Sequence, residues 1–311
     1  METISILVCC YNSENNIQAV VSEIREAFAV RAEHFDYHLV LVNDGSQDRT
    51  FEIISRMANE DSRIVAIDLS KNYGPLAAKM AGLQHVDGDY LVYMDDDGQH
   101  PVEGIFTLVD ELKNGWDVVY ADFKAKKYSP LRRFVSKMHG HLMELSIGKP
   151  KDVHISSFYA INRMMIEALL KYNSPFPSPI AYMLQVTRKI KSIPMEHQSR
   201  LSGSSGYTLK KLFKQWVTVF TSFSIYPLRL AAKAGSLLTF SGLLWILILL
   251  VLLIIRGNAQ HTSFIIPVIF LVGGLILWAC GLIGEYIGRI YMTVSGKPQF
   301  STREVVKHKD E

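Results

Sequence analysis

Along the first 122 residues the spacing of apolar positions switches back and forth between two regimes. Short runs rich in β-branched and aromatic residues, at 4–10, 39–42, 64–69, 90–94 and 118–120, alternate with stretches whose apolar residues recur every three or four positions. The runs predict strands. The stretches predict amphipathic helices, one burying Ile17, Val20, Val21, Ile24 and Phe28 and another Ile105, Leu108, Val109 and Leu112. Strands alternating with helices predict an α/β domain, a mostly parallel sheet covered by helices. Beyond residue 122 the pattern loosens into a basic stretch, a further helix and a short apolar strand near 158–161.

A different pattern takes over after residue 207. Leu209, Leu212, Phe213, Trp216, Val217 and Phe220 form an apolar stripe beside Lys210, Lys211 and Lys214, which suits a helix lying in a membrane interface or one packed on the globular domain. Residues 235–255 carry no charge, and after Arg256 the next charged side chain is Glu285. At a rise of about 1.5 Å per residue, roughly twenty such residues cross a hydrocarbon layer of about 30 Å, so each segment can span a membrane. A buried helical hairpin is the alternative. Lys210, Lys211, Lys214, Arg229 and Lys233 precede the pair and Arg289, Lys297, Arg303, Lys307 and Lys309 follow it, whereas the loop between holds only Arg256 and neutral His261. That asymmetry predicts both termini on the cytoplasmic side of a cell membrane. The organisation expected is an α/β domain over 1–207, interfacial amphipathic helices over 208–232, a two-helix transmembrane hairpin over 233–288 and a cytoplasmic tail over 289–311. Gly273 and Gly274 offer small-residue packing for a homo-oligomer.

Composition narrows the classes further. With 311 residues, 20% of them charged, and a formal charge of +3, the chain is neither disordered nor basic enough to point to nucleic acid as a partner. Cys9 and Cys10 adjoin in one apolar run and Cys280 lies in another, so no disulfide framework is legible and a reducing compartment fits. The chain opens directly on its first strand pattern, without a basic leader or a small-residue cleavage site, so the α/β domain is expected to stay in the cytosol.

Candidate chemistry collects in the turns. Tyr11-Asn12-Ser13, Asn43-Asp44-Gly45-Ser46 and Asp95-Asp96-Asp97-Gly98 each follow a predicted strand. Ligands of open α/β sheets bind beyond the carboxyl ends of strands, so three such turns suggest one shared cleft. Adjacent carboxylates repel unless a cation or hydrogen-bond donors compensate them. An all-oxygen set suits Mg²⁺ or Mn²⁺, which bind through one or two carboxylates plus substrate phosphates; a solvated acidic turn is the alternative. Side chains alternate along an extended chain, which puts Asp95, Asp97 and Gln99 on one side and Asp96 on the other. Asp48 or Ser46 can cap the following helix, Asp44 is placed to accept from a base or ribose, and Tyr11 can stack on a base or simply pack.

The ordered set Cys10-Tyr11-Asn12-Ser13-Glu14, Asn43 to Thr50, Asn72-Tyr73-Gly74, Gly82, Gly88-Asp89 and Asp95 to Pro101 resembles a family 2 glycosyltransferase of the GT-A, Rossmann-like fold. The match continues through Arg200 to Tyr207, Pro227-Leu228-Arg229, and Gly284 to Tyr291 with Lys297-Pro298, and is similar to polyisoprenyl-phosphate glycosyltransferases such as dolichol-phosphate mannose synthases and undecaprenyl-phosphate sugar transferases. The resemblance implies transfer of a sugar, with inversion, from a nucleotide sugar (UDP preferred over GDP) to a polyprenyl phosphate in the membrane. It implies a nucleotide-sugar site at Tyr11, Asn12, Asp44, Lys71 and Asp95. Asp95, Asp97 and Gln99 would serve Mg²⁺ or Mn²⁺, and Asp96 the sugar or acceptor. Arg200 would hold phosphate charge, with Arg132 and Arg133 at the acceptor phosphate; a solvated basic surface is the alternative for the last two. The region after residue 122 would cover the acceptor side.

Two departures stand out. Where many relatives carry an acidic residue before a Phe-Arg-Leu run, this chain has Ser156-Ser157-Phe158-Tyr159-Ala160-Ile161, and Asn43 replaces a common aspartate. A lipid phosphate is already ionised near neutral pH, so either no base is needed at the first of these positions or another group, such as Asp96, takes that role. Two spans argue against a processive, glycan-extending transferase, and an intact Asp95/Asp97 pair argues against a non-catalytic nucleotide-sugar-binding scaffold.

Overall fold

The computed structural model describes residues 1–123, 144, 149–172, 174–196, 251, 255, 265–296 and 298–308. Arg132, Arg133, Arg200, the expected interfacial helices and nearly all of the first apolar segment lie outside them. The chain divides into two units, Met1–Leu212 with Pro298–Glu311, and Phe213–Lys297.

The first unit is an α/β sheet domain. Its strands are β1 (Glu2–Cys10), β2 (Phe35–Asn43), β3 (Ile64–Leu69), β4 (Tyr90–Asp95), β5 (Val118–Phe123), β6 (Tyr159–Asn162), β7 (Ile190–Met195) and β8 (Thr302–Lys307), in the spatial order β7-β5-β6-β4-β1-β2-β3-β8. β3, β2, β1 and β4 are mutually parallel, and β6 and β8 run antiparallel to their neighbours. The mostly parallel α/β sheet expected from the alternating pattern is the one observed. Its helices are α1 (Ile17–Val30), α2 (Thr50–Glu60), α3 (Pro75–Leu83), α4 (Glu103–Lys113), α5 (Arg163–Leu170) and α6 (Pro179–Val186).

Strand alternation sorts the core into two layers. Ile4, Ile6, Val8 and Cys10 of β1, with Leu39 and Leu41 of β2 and Val92 and Met94 of β4, join the buried stripes of α1, α2 and α4 in one cluster. Those stripes include the residues that helical spacing selected. α3 lies on the other face, where Gly82 meets Leu7 and Val42.

Two strands escape the hydrophobic pattern. β7 buries only Ile190 and Ile193, whose spacing of three follows no strand period, and contains Pro194, which an edge position tolerates because its missing N–H is not needed there. The segment read as part of a tail supplies β8, which pairs with β3 from Val65 opposite Lys307 to Leu69 opposite Thr302. Its side chains are largely exposed, so Thr302-Arg303-Glu304-Val305-Val306-Lys307 carries little periodic apolar signal. Edge strands lack a second partner and are commonly charged in this way.

The second unit contains α7 (Ile265–Val294), continuous over 30 residues. Among the described residues no helix is identified as long and apolar enough to cross a membrane. Several apolar side chains of α7, at 266–268, 270, 271 and 277, are outside the described set, so the two expected spans rest on the sequence alone.

The junction of β1 and β4 depends on close backbone approach at Gly88. Its N–H donates to Ser5 Oγ at 2.9 Å, and Thr3 N donates to Asp89 Oδ2 at 2.9 Å. A Cβ on Gly88 would lie 2.7 Å from both Thr3 O and Ser5 N. Gly88→Ala is therefore expected to cost about 1–3 kcal/mol, the range for forced overpacking, seen as a lower thermal unfolding midpoint. An unchanged midpoint would contradict this packing.

Candidate active site

The strand order reverses direction at β1. The chain passes from β1 to β2 to β3 on one side, then crosses to β4 on the other, so the β1/β4 boundary is a topological switch point of the kind where open α/β sheets bind ligands. The three predicted turns meet there. Ser13 Oγ donates to Asp96 Oδ2, and Tyr11 N donates to the same oxygen at 3.3 Å. On the other side, Asn12 N donates to Ser46 Oγ at 2.9 Å and Gln47 N donates to Asn12 Oδ1 at 3.0 Å. Asn12 has φ of 54°, a left-handed conformation that asparagine tolerates better than most residues.

The three consecutive aspartates have separate partners. Asp95 Oδ2 accepts from Ser157 Oγ at 2.6 Å, while Asp95 N donates to His100 Nδ1 at 3.0 Å. His100 is buried, stacked on Phe158 at 4.8 Å between centroids, and its Nε2 lies 3.6 Å from Asp95 Oδ2. Because Nδ1 accepts, the neutral ring carries its proton on Nε2, facing Ser157 and Asp95. Asp96 turns toward β1. Burial pushes its carboxyl up to about 6, against the donors Ser13 and Tyr11 N–H, with neighbouring Asp95 adding to the rise. Asp97 Oδ1 accepts from Gln99 N at 3.1 Å, folding the turn around Gly98, whose φ is 71°. Among the described residues no group of three or more His, Cys, Asp or Glu is arranged to hold a metal.

Asp44 is buried, with Oδ1 accepting from Tyr73 N at 2.7 Å and Oδ2 from Gly74 N at 2.9 Å. Burial raises its pKa, and those two backbone donors oppose the rise. Each carboxylate oxygen retains acceptor capacity, so the same side chain can tie the β3 turn and accept from a ligand. Gly45, at φ 66°, brings the β2 turn against the β3 turn: a Cβ there would lie 2.4 Å from Lys71 C. Lys71 itself is exposed, its Nζ 5.1 Å from the Tyr73 ring centroid, and Tyr11 is half exposed. The N-cap of α2 is Arg49, which makes no side-chain cap bond; of the two expected caps, Asp48 lies one residue before it and accepts from Thr50 N at 3.1 Å, while Ser46 meets Asn12 instead.

The Asn43 departure has a local reason. Asn43 Nδ2 donates to Asp68 Oδ1 at 2.7 Å across β2 and β3, both residues being buried. An aspartate at 43 would set two carboxylates at hydrogen-bond distance.

Sequence reasoning missed three nearby residues. His100 and Ser157 hold Asp95. Lys79, in the apolar helix α3, is 92% buried, with Nζ 4.9 Å from the Tyr159 centroid and 5.1 Å from that of Tyr93. The available signal for Lys79 was its charge inside Ala77-Ala78-Lys79-Met80-Ala81, since lysine is rarely buried without a partner.

An α/β sheet of this order, with carboxylates and close-set turns gathered at its switch point, defines a GT-A-like domain. Residues 5–173 match the family model described as Glycosyl transferase family 2, and the chain belongs to that family. Among similar proteins, the undecaprenyl-phosphate 4-deoxy-4-formamido-L-arabinose transferase of Photorhabdus laumondii is 32% identical over 98% of this chain and 95% of its own length. The protein of the same name from Shewanella sediminis is 31% identical over 98% and 93%. In fold the chain resembles glucosyl-3-phosphoglycerate synthase from Mycobacterium tuberculosis, solved with Mn²⁺, UDP-glucose and phosphoglyceric acid, at a TM-score of 0.53 and 19% identity over 71% of this chain and 78% of that one.

Ser157 orients the carboxylate of Asp95, and a hydrogen bond to a charged group contributes about 1.5–3 kcal/mol. Partial exposure of this pair reduces that, so Ser157→Ala is expected to slow glycosyl transfer by roughly tenfold, whereas Ser157→Thr keeps the donor and most of the rate. Equal rates for wild type and Ser157→Ala would remove Ser157 from the site.

Proposed function

We propose that this enzyme transfers a sugar, with inversion, from a nucleotide diphosphate sugar to the phosphate of a polyprenyl lipid at the cytoplasmic face of a membrane. The observation that carries the reading is the convergence of the β1, β2 and β4 turns on Asp96, Asn12 and Ser46. Relatives aligned over 98% of the chain and named for undecaprenyl-phosphate sugar transfer support the acceptor class, and a fold neighbour solved with UDP-glucose supports a UDP donor.

In this reading Tyr11 stacks on the base, Asp44, Asn12 and Lys71 line the nucleoside and diphosphate, and Asp95 lies at the sugar end. Asp95, Asp97 and Gln99 would hold Mg²⁺ or Mn²⁺. Their oxygen donors fit such an ion, which needs only one or two carboxylates when phosphates and water complete its shell. The ion would neutralise the leaving nucleoside diphosphate. Fold neighbours solved with Mn²⁺ or Mg²⁺ and UDP are compatible with this choice. Arg200, Arg132 and Arg133 supply phosphate-binding charge, a role suited to the guanidinium fork.

The acceptor phosphate is ionised and attacks the anomeric carbon directly. Catalysis then depends on alignment and charge neutralisation rather than on proton removal. Ser157 is consistent with this, since its hydroxyl is committed as a donor to Asp95. Two membrane spans within 233–288, with the α/β domain and both termini cytoplasmic, would bring the site to the lipid. The lack of charge over 235–255 and the basic flanks support that topology.

The test uses the full chain in nanodiscs with undecaprenyl phosphate, Mn²⁺ or Mg²⁺ and a panel of UDP- and GDP-sugars, including 4-deoxy-4-formamido-L-arabinose donors. Lipid-linked sugar detected by mass spectrometry is the expected product. Donor hydrolysis without a lipid product across the panel would overturn the reading. Asp97→Ala should lower turnover by at least about 100-fold in a protein that remains folded and membrane-bound; normal turnover would remove Asp97 from the metal site.

A further inference from the structure

Asp68, the penultimate residue of β3, has its side chain almost wholly buried, a placement that is costly for a carboxylate unless donors compensate it. Two side chains do so. Asn43 Nδ2 donates to Oδ1 at 2.7 Å, and Arg303 Nη1 donates to Oδ2 at 3.2 Å. The other end of the same guanidinium donates from Nη2 to Ser70 O at 3.0 Å, and Ser70 N donates to Ser301 O at 2.9 Å. Arg303 thus bridges a buried carboxylate and the backbone of the β3 turn, a task for a planar fork with several fixed donors.

The consequence runs inward from the sheet edge. A carboxylate can only accept, so the Asn43 amide must turn its nitrogen to Asp68 and its oxygen the other way. That oxygen accepts from Ser46 N at 3.2 Å, which closes the Asn43-Asp44-Gly45-Ser46 turn. Ser46 Oγ in turn accepts from Asn12 N. A continuous line of hydrogen bonds therefore connects Arg303 on β8, through Asp68, Asn43 and Ser46, to the turn that follows β1.

We infer that Arg303 is a positioning residue for the nucleotide pocket, acting through Asp68 and Asn43 on the turn that carries Asp44. The inference rests on the reading of the β1 and β2 turns as the nucleotide site. It assigns to the strand beyond the second apolar segment a part in donor binding, although none of the donor-binding residues proposed above lies there. Without Arg303, Asp68 keeps one side-chain donor, and its uncompensated charge favours rearrangement of the Asn43 amide. The turn is then free to leave the geometry that presents Asp44 and Asn12 to a nucleotide. The sugar and acceptor ends of the site, at Asp95 and Asp97, are outside this line of bonds.

The experiment uses full-length chain in detergent micelles. Calorimetry with UDP and with GDP in the presence of Mn²⁺ gives nucleotide affinity without requiring lipid acceptor or turnover, and steady-state assays separate donor KM from kcat. Arg303→Gln is expected to raise the nucleotide Kd and the donor KM about tenfold, with kcat and acceptor KM within about twofold of wild type. Arg303→Lys keeps the charge but not the fork and should fall between the two. Asn43→Asp should weaken nucleotide binding at least as much as Arg303→Gln, and Asn43→Asp combined with Asp68→Asn should recover most of that loss by restoring one carboxylate facing one amide. Nucleotide binding by Arg303→Gln equal to wild type overturns this inference alone, as does a variant whose kcat, donor KM and acceptor KM all deteriorate together. Failure of the wild-type chain to bind either nucleotide overturns the nucleotide-site reading, and this inference with it.

Discussion

Ser13 occupies the place on which the site geometry depends. Its hydroxyl donates to Asp96 at the end of β4, and its backbone N–H donates to Thr50 Oγ1 at 2.8 Å, at the start of α2 behind β2. A single residue beyond the central strand therefore ties together the two sides of the switch point. Parallel strands leave their carboxyl ends open because each connection must return across the sheet. The side-chain bonds from Ser13, Asn12 and Asp96 draw that open edge into a defined shape without filling it.

The cost of this arrangement is concentrated charge. Asp44, Asp68, Asp95, Asp96 and Asp97 crowd the ends of β2, β3 and β4, on either side of β1, and their partners differ. Asp44 takes two backbone N–H groups, Asp68 an amide and a guanidinium, Asp95 a serine hydroxyl. Asp96 takes the Ser13 hydroxyl and the Tyr11 N–H, yet burial still pushes its carboxyl up to about 6. Carboxylates fixed by local donors are preorganised for positively charged ligands or for hydrogen-bond donors on a substrate, and fixed dipoles and charges are the form in which such sites contribute most to catalysis. Placing the acceptor's own ionised phosphate against this edge requires cations, and the arginines proposed for that role lie in other parts of the chain.

The division of labour between the two units also has a physical basis. A sheet domain covered by helices satisfies its backbone internally and buries its core in two layers, as α1, α2 and α4 do on one face and α3 on the other. The apolar segments within 233–288 carry no charge over 235–255 and none between Arg256 and Glu285, and the proposed membrane insertion rests on that sequence feature. The return of the chain to the first unit as β8 means that the edge of the sheet beside β3 is completed only by residues that follow those segments in sequence.

Much of this was legible in sequence order. Apolar runs located β1 to β6, because buried strands and amphipathic helices must repeat at different periods, and the short polar residues after β1, β2 and β4 marked the open edge of a parallel sheet. The family resemblance named the same turns. β8 and the partners of individual side chains were not legible. Thr302–Lys307 is an exposed edge strand, so no hydrophobic period betrays it, and its pairing with β3 joins residues more than 230 positions apart. Nor could alternation alone show that Asp96 faces Ser13, that His100 and Ser157 hold Asp95, or that Lys79 lies over two buried tyrosines. The sequence by itself determined the class of fold, the edge that carries the chemistry and the charge available there, since these follow from local periodicity and residue type. Only the tertiary structure decided which carboxylate each donor meets, because that depends on strand order and register, which bring together residues that nothing in their local sequence relates.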